Sequence, residues 1–104
     1  MVTINLEKIF NPKSIAVIGA SDKENSVGHA LVKNLTQKGF EGKVYPVNIK
    51  KDEILGIKTY KTVGEIPEKV DLAIIATPAK TVPLIVEECG KAGIIGIIIV
   101  SAGF

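Results

Sequence analysis

The segment Ser14-Ile15-Ala16-Val17-Ile18-Gly19-Ala20-Ser21 is an apolar run of β type that breaks on glycine and serine. A helical pattern opens soon after it, at Ser26-Val27-Gly28. A buried strand that turns on glycine into a helix is the sequence form of a phosphate-binding βα turn. The first glycine permits the sharp turn, and the later one permits close packing of helix on strand. The helix N-terminus offers unpaired N–H groups and the positive end of its dipole to an anion. On this reading a branched side chain at Gly19 would stand where a pyrophosphate approaches. A nucleotide-like ligand is the leading expectation. The same residues also suit a tight βα turn with no ligand, because Gly19 and Gly28 are too far apart for a compact G-x-G-x-x-G.

The rest of the chain repeats the alternation of strand and helix. Val27, Ala30, Leu31 and Leu35 recur at helical spacing, which predicts a helix from Ser26 to Lys38 stopped by Gly39. Lys43 to Val47 reads as a second strand. Pro46 within it has no N–H for a ladder, which assigns it to an edge or a bulge. Ile57 to Tyr60 is a short extended segment, and Val63 to Pro67 holds a single helical turn. Asp71 to Ala76 is a buried strand ended by Thr77-Pro78. Thr81 to Gly93 is a helix with Thr81 as N-cap and Pro83 in its first turn. Gly96 to Val100 is a last buried strand. The strands are continuous apolar runs, as expected of parallel strands covered on both faces. The fold class is therefore α/β, a Rossmann-like and mostly parallel sheet of about five strands with helices on both faces. Residues 1–13 form a lead-in in which Leu6, Ile9 and Phe10 have helical spacing.

At 104 residues the chain is expected to be one domain over 1–104. No helix follows Ile94 to Val100 to cover it. The chain is accordingly expected to be part of a longer polypeptide, and that strand to be a surface for self-association or for a further domain. A net charge of +2 and scattered basic residues argue against nucleic-acid and membrane surfaces. No signal peptide and no bilayer-length apolar run is visible, so a reducing compartment such as the cytoplasm is the expectation. The single cysteine, Cys89, excludes an internal disulfide and reads as a small apolar helix residue.

In open α/β sheets ligands lie beyond the carboxyl ends of the strands. Those ends are Gly19-Ala20-Ser21, Asn48-Ile49-Lys50, Thr77-Pro78-Ala79 and Ser101-Ala102-Gly103. All four carry small or polar residues. An NAD reader usually has a carboxylate after the second strand, holding the ribose hydroxyls. Here Asn48 is followed by Lys50 and Lys51. Positive charge there favours a phosphorylated ribose, as in NADP or coenzyme A, unless the two lysines are a solvated loop pair. Lys23 in the first loop reads as solvated, and His29 as a surface or partly packed residue. Glu87 and Glu88 read as a solvated helix face. One histidine and one cysteine far apart do not make a metal site.

These strings resemble a family. Ile9-Phe10-Asn11-Pro12-Lys13 with the Ser14–Ser21 run is similar to the opening of the CoA-binding domain of NDP-forming acyl-CoA synthetases, the acetate–CoA ligase (ADP-forming) group. So are Ser26-Val27-Gly28, Gly42 to Asn48, Val70 to Ala79, Val86 to Gly90 and Ser101-Ala102-Gly103-Phe104. The succinyl-CoA synthetase α-subunit is a more distant relative. The resemblance implies a domain that binds coenzyme A (free or as acyl-CoA), with Gly19, Ala20, Ser21, Ser26, Val27, Asn48, Lys50, Thr77, Pro78, Ser101, Ala102 and Gly103 around it. Lys50 would match a family lysine that contacts the phosphorylated adenosine end, although Ile49 stands where the family has proline. Thr77-Pro78-Ala79 and Ser101-Ala102-Gly103 would line the pantetheine arm. The family reaction, acyl-CoA with ADP and phosphate to acid, ATP and CoA, runs through a phosphohistidine in a later domain or subunit, and His29 does not match it. The implied role is CoA binding without catalysis. Two other readings stay open: an NADP-dependent redox domain, and a non-enzymatic CoA-sensing domain attached to an acetyltransferase.

Overall fold

The computed structural model describes residues 11–100. The lead-in helix read at Leu6, Ile9 and Phe10 and the site residues Ser101, Ala102 and Gly103 lie outside them. Four strands form a parallel sheet: β1 (Ser14–Ile18), β2 (Lys43–Val47), β5 (Leu72–Ile75) and β6 (Gly96–Ile99), in the order β2-β1-β5-β6. A short antiparallel hairpin, β3 (Glu53–Ile54) with β4 (Ile57–Lys58), stands apart from it. The main sheet thus has four strands among the described residues, where about five were expected. The extended segment at 57–60 pairs within the hairpin and adds to the sheet only a single parallel bridge, Val47 with Tyr60.

Among the described residues two α-helices sandwich the sheet, because its central strands are apolar on both faces. Ile15 and Val17 of β1 and Leu72 and Ile74 of β5 share one buried cluster with Val32, Leu31 and Leu35 of α1 (Val27–Gln37). Ala16, Ile18, Ala73 and Ile75 point the other way, into a cluster with Val82 and Cys89 of α2 (Val82–Lys91) and with Val63, Ile66 and Val70. The alternation follows from the two-residue period of a strand. It explains why β1 and β5 carry no polar position except Ser14, whose buried hydroxyl donates to the Lys69 carbonyl and accepts from the Asp71 amide.

Helix ends follow local chemistry. Ser26 caps α1: its Oγ accepts from the His29 amide at 3.1 Å and donates to the Lys23 carbonyl at 2.8 Å. Thr81 does not cap α2 as expected. It is helical itself (φ −90°, ψ −13°) and closes a short 3-10 turn, Ala79–Thr81, that leads into the helix. A cap needs an extended backbone to aim its oxygen at the first amides. The Thr81 hydroxyl instead bonds Thr77 Oγ1 at 2.8 Å and the Pro78 carbonyl at 2.7 Å. At the other end, Ile94 N–H to Cys89 C=O (3.0 Å) and Gly93 N–H to Gly90 C=O (3.1 Å) complete a Schellman motif.

Pro46 sits where its missing N–H is harmless. β2 is an edge strand, and the Pro46 carbonyl faces outward to accept from the Tyr60 amide at 3.0 Å. At the opposite edge, β6 departs from expectation. Only Gly96 is buried in it, while Ile98 and Ile99 are each 43% exposed. No described element covers that edge strand, so an all-apolar sequence does not translate into burial. Among the described residues, no helix is long and apolar enough to cross a membrane.

Candidate functional site

A cavity of about 550 Å³ opens at the carboxyl ends of β1, β2 and β5. It is lined by Gly19, Ala20 and Ser21 after β1, Asn48, Ile49 and Lys50 after β2, and Thr77 and Pro78 after β5. Every sequence-named strand end among the described residues therefore converges on one space. Ser26 and Val27 are not among its lining residues. The Ser26 hydroxyl is engaged in capping α1.

The turn at its centre is dictated by two glycines. Gly19 has φ +93°, and a Cβ there would stand 2.7 Å from the Ala76 carbonyl oxygen. A Cβ on Gly28 would stand 2.0 Å from the Gly19 carbonyl oxygen. Helix α1 thus crosses the β1 turn in direct backbone contact. This corrects one expectation. A side chain at Gly19 would first strike the end of β5, so its loss tests the turn before it tests any ligand. Past the turn, the amides of Ala20 and Ser21 donate to no acceptor among the described residues. The Ser21 Oγ accepts from the Lys23 amide at 3.0 Å. Two unpaired amides at a cavity wall offer what an anionic oxygen requires.

Asn48 is the hinge pin between the loops. Its Nδ2 donates to the Ala20 carbonyl at 2.8 Å, and its Oδ1 accepts from the amides of Lys50 and Lys51, both at 2.8 Å. One amide side chain with both a donor and an acceptor is needed for this, which a carboxylate cannot supply. Lys51 then turns away to pair with Asp22 at 3.2 Å, and Lys50 remains exposed at the rim.

Several lining residues were not assigned to a site by the sequence: Lys61, Thr62, Leu84, Ile85 and Glu88. Thr81, Leu84, Ile85 and Glu88 fall at helical spacing, so one face of α2 forms a wall. That spacing was a signal in hand. Leu84 is 64% exposed and so presents apolar surface on this wall. Glu88, read as solvated, is half-buried here; Glu87 is exposed and pairs with Lys91 at 3.5 Å. His29 of α1 and Cys89 of α2 are both buried, Cys89 in the core cluster between α2 and the sheet, and neither lines the cavity. Burial, with a smaller contribution from Glu88, pushes the Cys89 thiol up to about 11, which suits a packing role.

A larger hollow of about 810 Å³ lies at the opposite end of the sheet, lined in part by Lys13, Lys43, Tyr45 and Glu68. Its chief feature is an exposed Lys43–Glu68 pair at 2.7 Å, whose hydrogen bond lowers the Glu68 pKa and raises that of Lys43. Tyr45 beside it is raised by burial and then by the Glu68 carboxylate. This is the amino end of the strands, where α/β sheets do not bind their ligands.

Residues 13–104 match the CoA binding domain family. The chain belongs to that family. It is 53% identical to the alpha subunit of acetate–CoA ligase (ADP-forming) I of Pyrococcus furiosus over 97% of its own length and 23% of that subunit. It is 52% identical to the acetate–CoA ligase (ADP-forming) of Methanocaldococcus jannaschii, over 95% of its length and 14% of that protein. Among solved structures, the dinucleotide-forming acetyl-coenzyme A synthetase 1 of Ca. Korarchaeum cryptofilum superposes with a TM-score of 0.91 at 43% identity, over 96% of this chain and 22% of that one. The chain thus spans less than a quarter of the length of these relatives.

Proposed function

We propose that this chain binds coenzyme A, free or acylated, as the CoA-binding module of an ADP-forming acyl-CoA synthetase. The observation that carries the proposal is the meeting of three strand ends, Gly19–Ser21, Asn48–Lys50 and Thr77–Pro78, in a single cavity. Each part of that cavity suits one part of the ligand. The Ala20 and Ser21 amides serve the pyrophosphate, with the α1 dipole behind them. Lys50 serves the phosphorylated ribose. Leu84 and Ile85, with Pro78, supply an apolar wall for the pantetheine arm, and burial of such surface adds affinity at about 25 cal/mol per Å². Ser101, Ala102 and Gly103 extend the same path in this proposal. No histidine or cysteine lines the cavity among the described residues, so the role assigned to this chain is binding, with acyl and phosphoryl transfer carried by other domains or subunits.

Thermal unfolding with CoA, 3′-dephospho-CoA, NAD and NADP in parallel tests this. A ligand at 100 times its Kd adds ~2.7 kcal/mol. For a domain of this size that is a rise of roughly 10 °C or more. A rise with CoA, smaller with the dephospho form, is expected. A rise with NADP and none with CoA would overturn the proposal in favour of a redox domain.

A further inference from the structure

The chain leaves the sheet after Val47, passes through the β3–β4 hairpin and comes back to the outer edge of β2 at Tyr60. It is held there at both backbone groups. The Tyr60 amide donates to the Pro46 carbonyl at 3.0 Å, and the Tyr60 carbonyl accepts from the Asn48 amide at 2.9 Å. The Tyr60 ring meets Tyr45 edge-on, 5.9 Å between centroids. The hairpin base is closed by the Thr59 amide on the Asp52 carbonyl at 3.0 Å and by the Thr59 hydroxyl on the Lys51 carbonyl. Lys61 therefore follows directly on the residue that bonds Asn48, and both Lys50 and Lys61 line the cavity.

These two lysines differ from their neighbours. Lys51 is taken by Asp22, Lys43 by Glu68, and Lys58 lies over the Tyr60 ring at 5.3 Å. Among the described residues, neither Lys50 nor Lys61 has an anionic partner. Two cations that line one cavity without an anionic partner can both turn toward an anion placed there. The amides of Ala20 and Ser21 belong to a different loop, after β1, from the two lysines. We propose that Lys61 acts with Lys50 as the reader of a ribose phosphomonoester, making selection of a 3′-phosphorylated nucleotide a two-lysine property. The proposal rests on the CoA reading above. A phosphomonoester near pH 7 carries close to two negative charges, which one exposed ammonium matches only in part.

The test is equilibrium binding of CoA and 3′-dephospho-CoA to the wild-type chain, Lys61→Ala, Lys61→Arg, Lys50→Ala and the double alanine variant. Lys61→Ala is expected to weaken CoA about tenfold, the size of one exposed charge-assisted hydrogen bond. Dephospho-CoA should hold within about twofold, and Lys61→Arg should keep most of the discrimination, since charge is retained. The CoA losses of the two single alanine variants should not add in the double variant, because both groups act on one phosphate. The dependence of CoA affinity on salt should flatten with each lysine removed. Equal losses for both ligands, or no loss for CoA, would overturn the role of Lys61. Wild-type protein that binds both ligands equally would overturn this proposal and leave the CoA reading standing. Failure to bind either ligand would overturn the CoA reading itself.

Discussion

Replacing Gly28 by alanine isolates the contact on which the β1 turn depends. Within a helix this substitution ordinarily stabilises by up to ~1 kcal/mol, because glycine loses more backbone entropy on folding. Here the new Cβ would stand 2.0 Å from the Gly19 carbonyl oxygen, 2.9 Å from its carbon and 3.1 Å from the Ala20 Cα. An ordinary C···O contact is about 3.3 Å, so the overlap with the oxygen is about 1.3 Å. All three atoms are backbone and cannot swing aside, so α1 must lift off β1 or the turn must move. Overpacking of well-packed sites costs about 1–3 kcal/mol, and a backbone-on-backbone overlap belongs at the upper end. After the propensity gain, a net loss of about 2 kcal/mol remains, or roughly 8–16 °C in Tm for a chain of this size. Gly90 in α2 provides the internal control, because a Cβ there meets nothing within 4 Å. Gly90→Ala should therefore raise stability by up to ~1 kcal/mol. Urea titrations followed by far-UV circular dichroism would compare the three proteins. If Gly28→Ala is as stable as wild type, or moves in the same direction as Gly90→Ala, the close crossing of helix and turn is wrong, and so is the account of why glycine stands at 28.

Asn48→Ala deletes a donor to Ala20 and the acceptor for two amides. A loss of about 1–3 kcal/mol is expected in urea titrations. Asn48→Asp should rescue little of it, because a carboxylate would face the Ala20 carbonyl without a proton to donate; full rescue would show that this bond is dispensable. Cys89 should resist iodoacetamide in the folded chain at pH 8, and rapid labelling without unfolding would refute its burial. Its thiol is raised from 9.0 to about 11, so the folded state holds its proton longer than the unfolded one. Its contribution to stability is then fully present below pH 9 and is lost as pH rises from 9 toward 11. Urea midpoints at pH 8 and 10.5 should fall less in Cys89→Ala than in wild type.

The alternation of strand and helix could be read from one dimension because each element carries its own local reason. Ser26 caps α1, Gly39 stops it, and the runs at Ile15–Ile18 and Leu72–Ile75 are apolar at every position because both faces are covered. The hairpin was not legible. Its turn is Leu55-Gly56, with Leu55 at φ 52°, and a leucine in the left-handed region carries none of the usual turn chemistry. The exposure of β6 has a different origin. Gly-Ile-Ile-Ile has the composition of a central strand, and only its place at the sheet edge leaves Ile98 and Ile99 in the open.

For the cavity, the chain by itself determined which short segments follow the strands, since a parallel α/β sheet aligns all its carboxyl ends by construction. It also determined the lack of a carboxylate after β2 and the presence of lysine there. Tertiary structure decided the rest. It decided that Asn48 faces inward to join two loops, that Ser26 and Val27 stand back from the cavity, and that α2 turns Leu84, Ile85 and Glu88 toward it. It alone brought Lys61 to the same cavity as Lys50, through hydrogen bonds that tie Tyr60 to Pro46 and Asn48 at the outer edge of β2. Local propensity specifies an element and its ends. Which side chains share a cavity depends on pairings between distant segments, and those exist only once the sheet has formed.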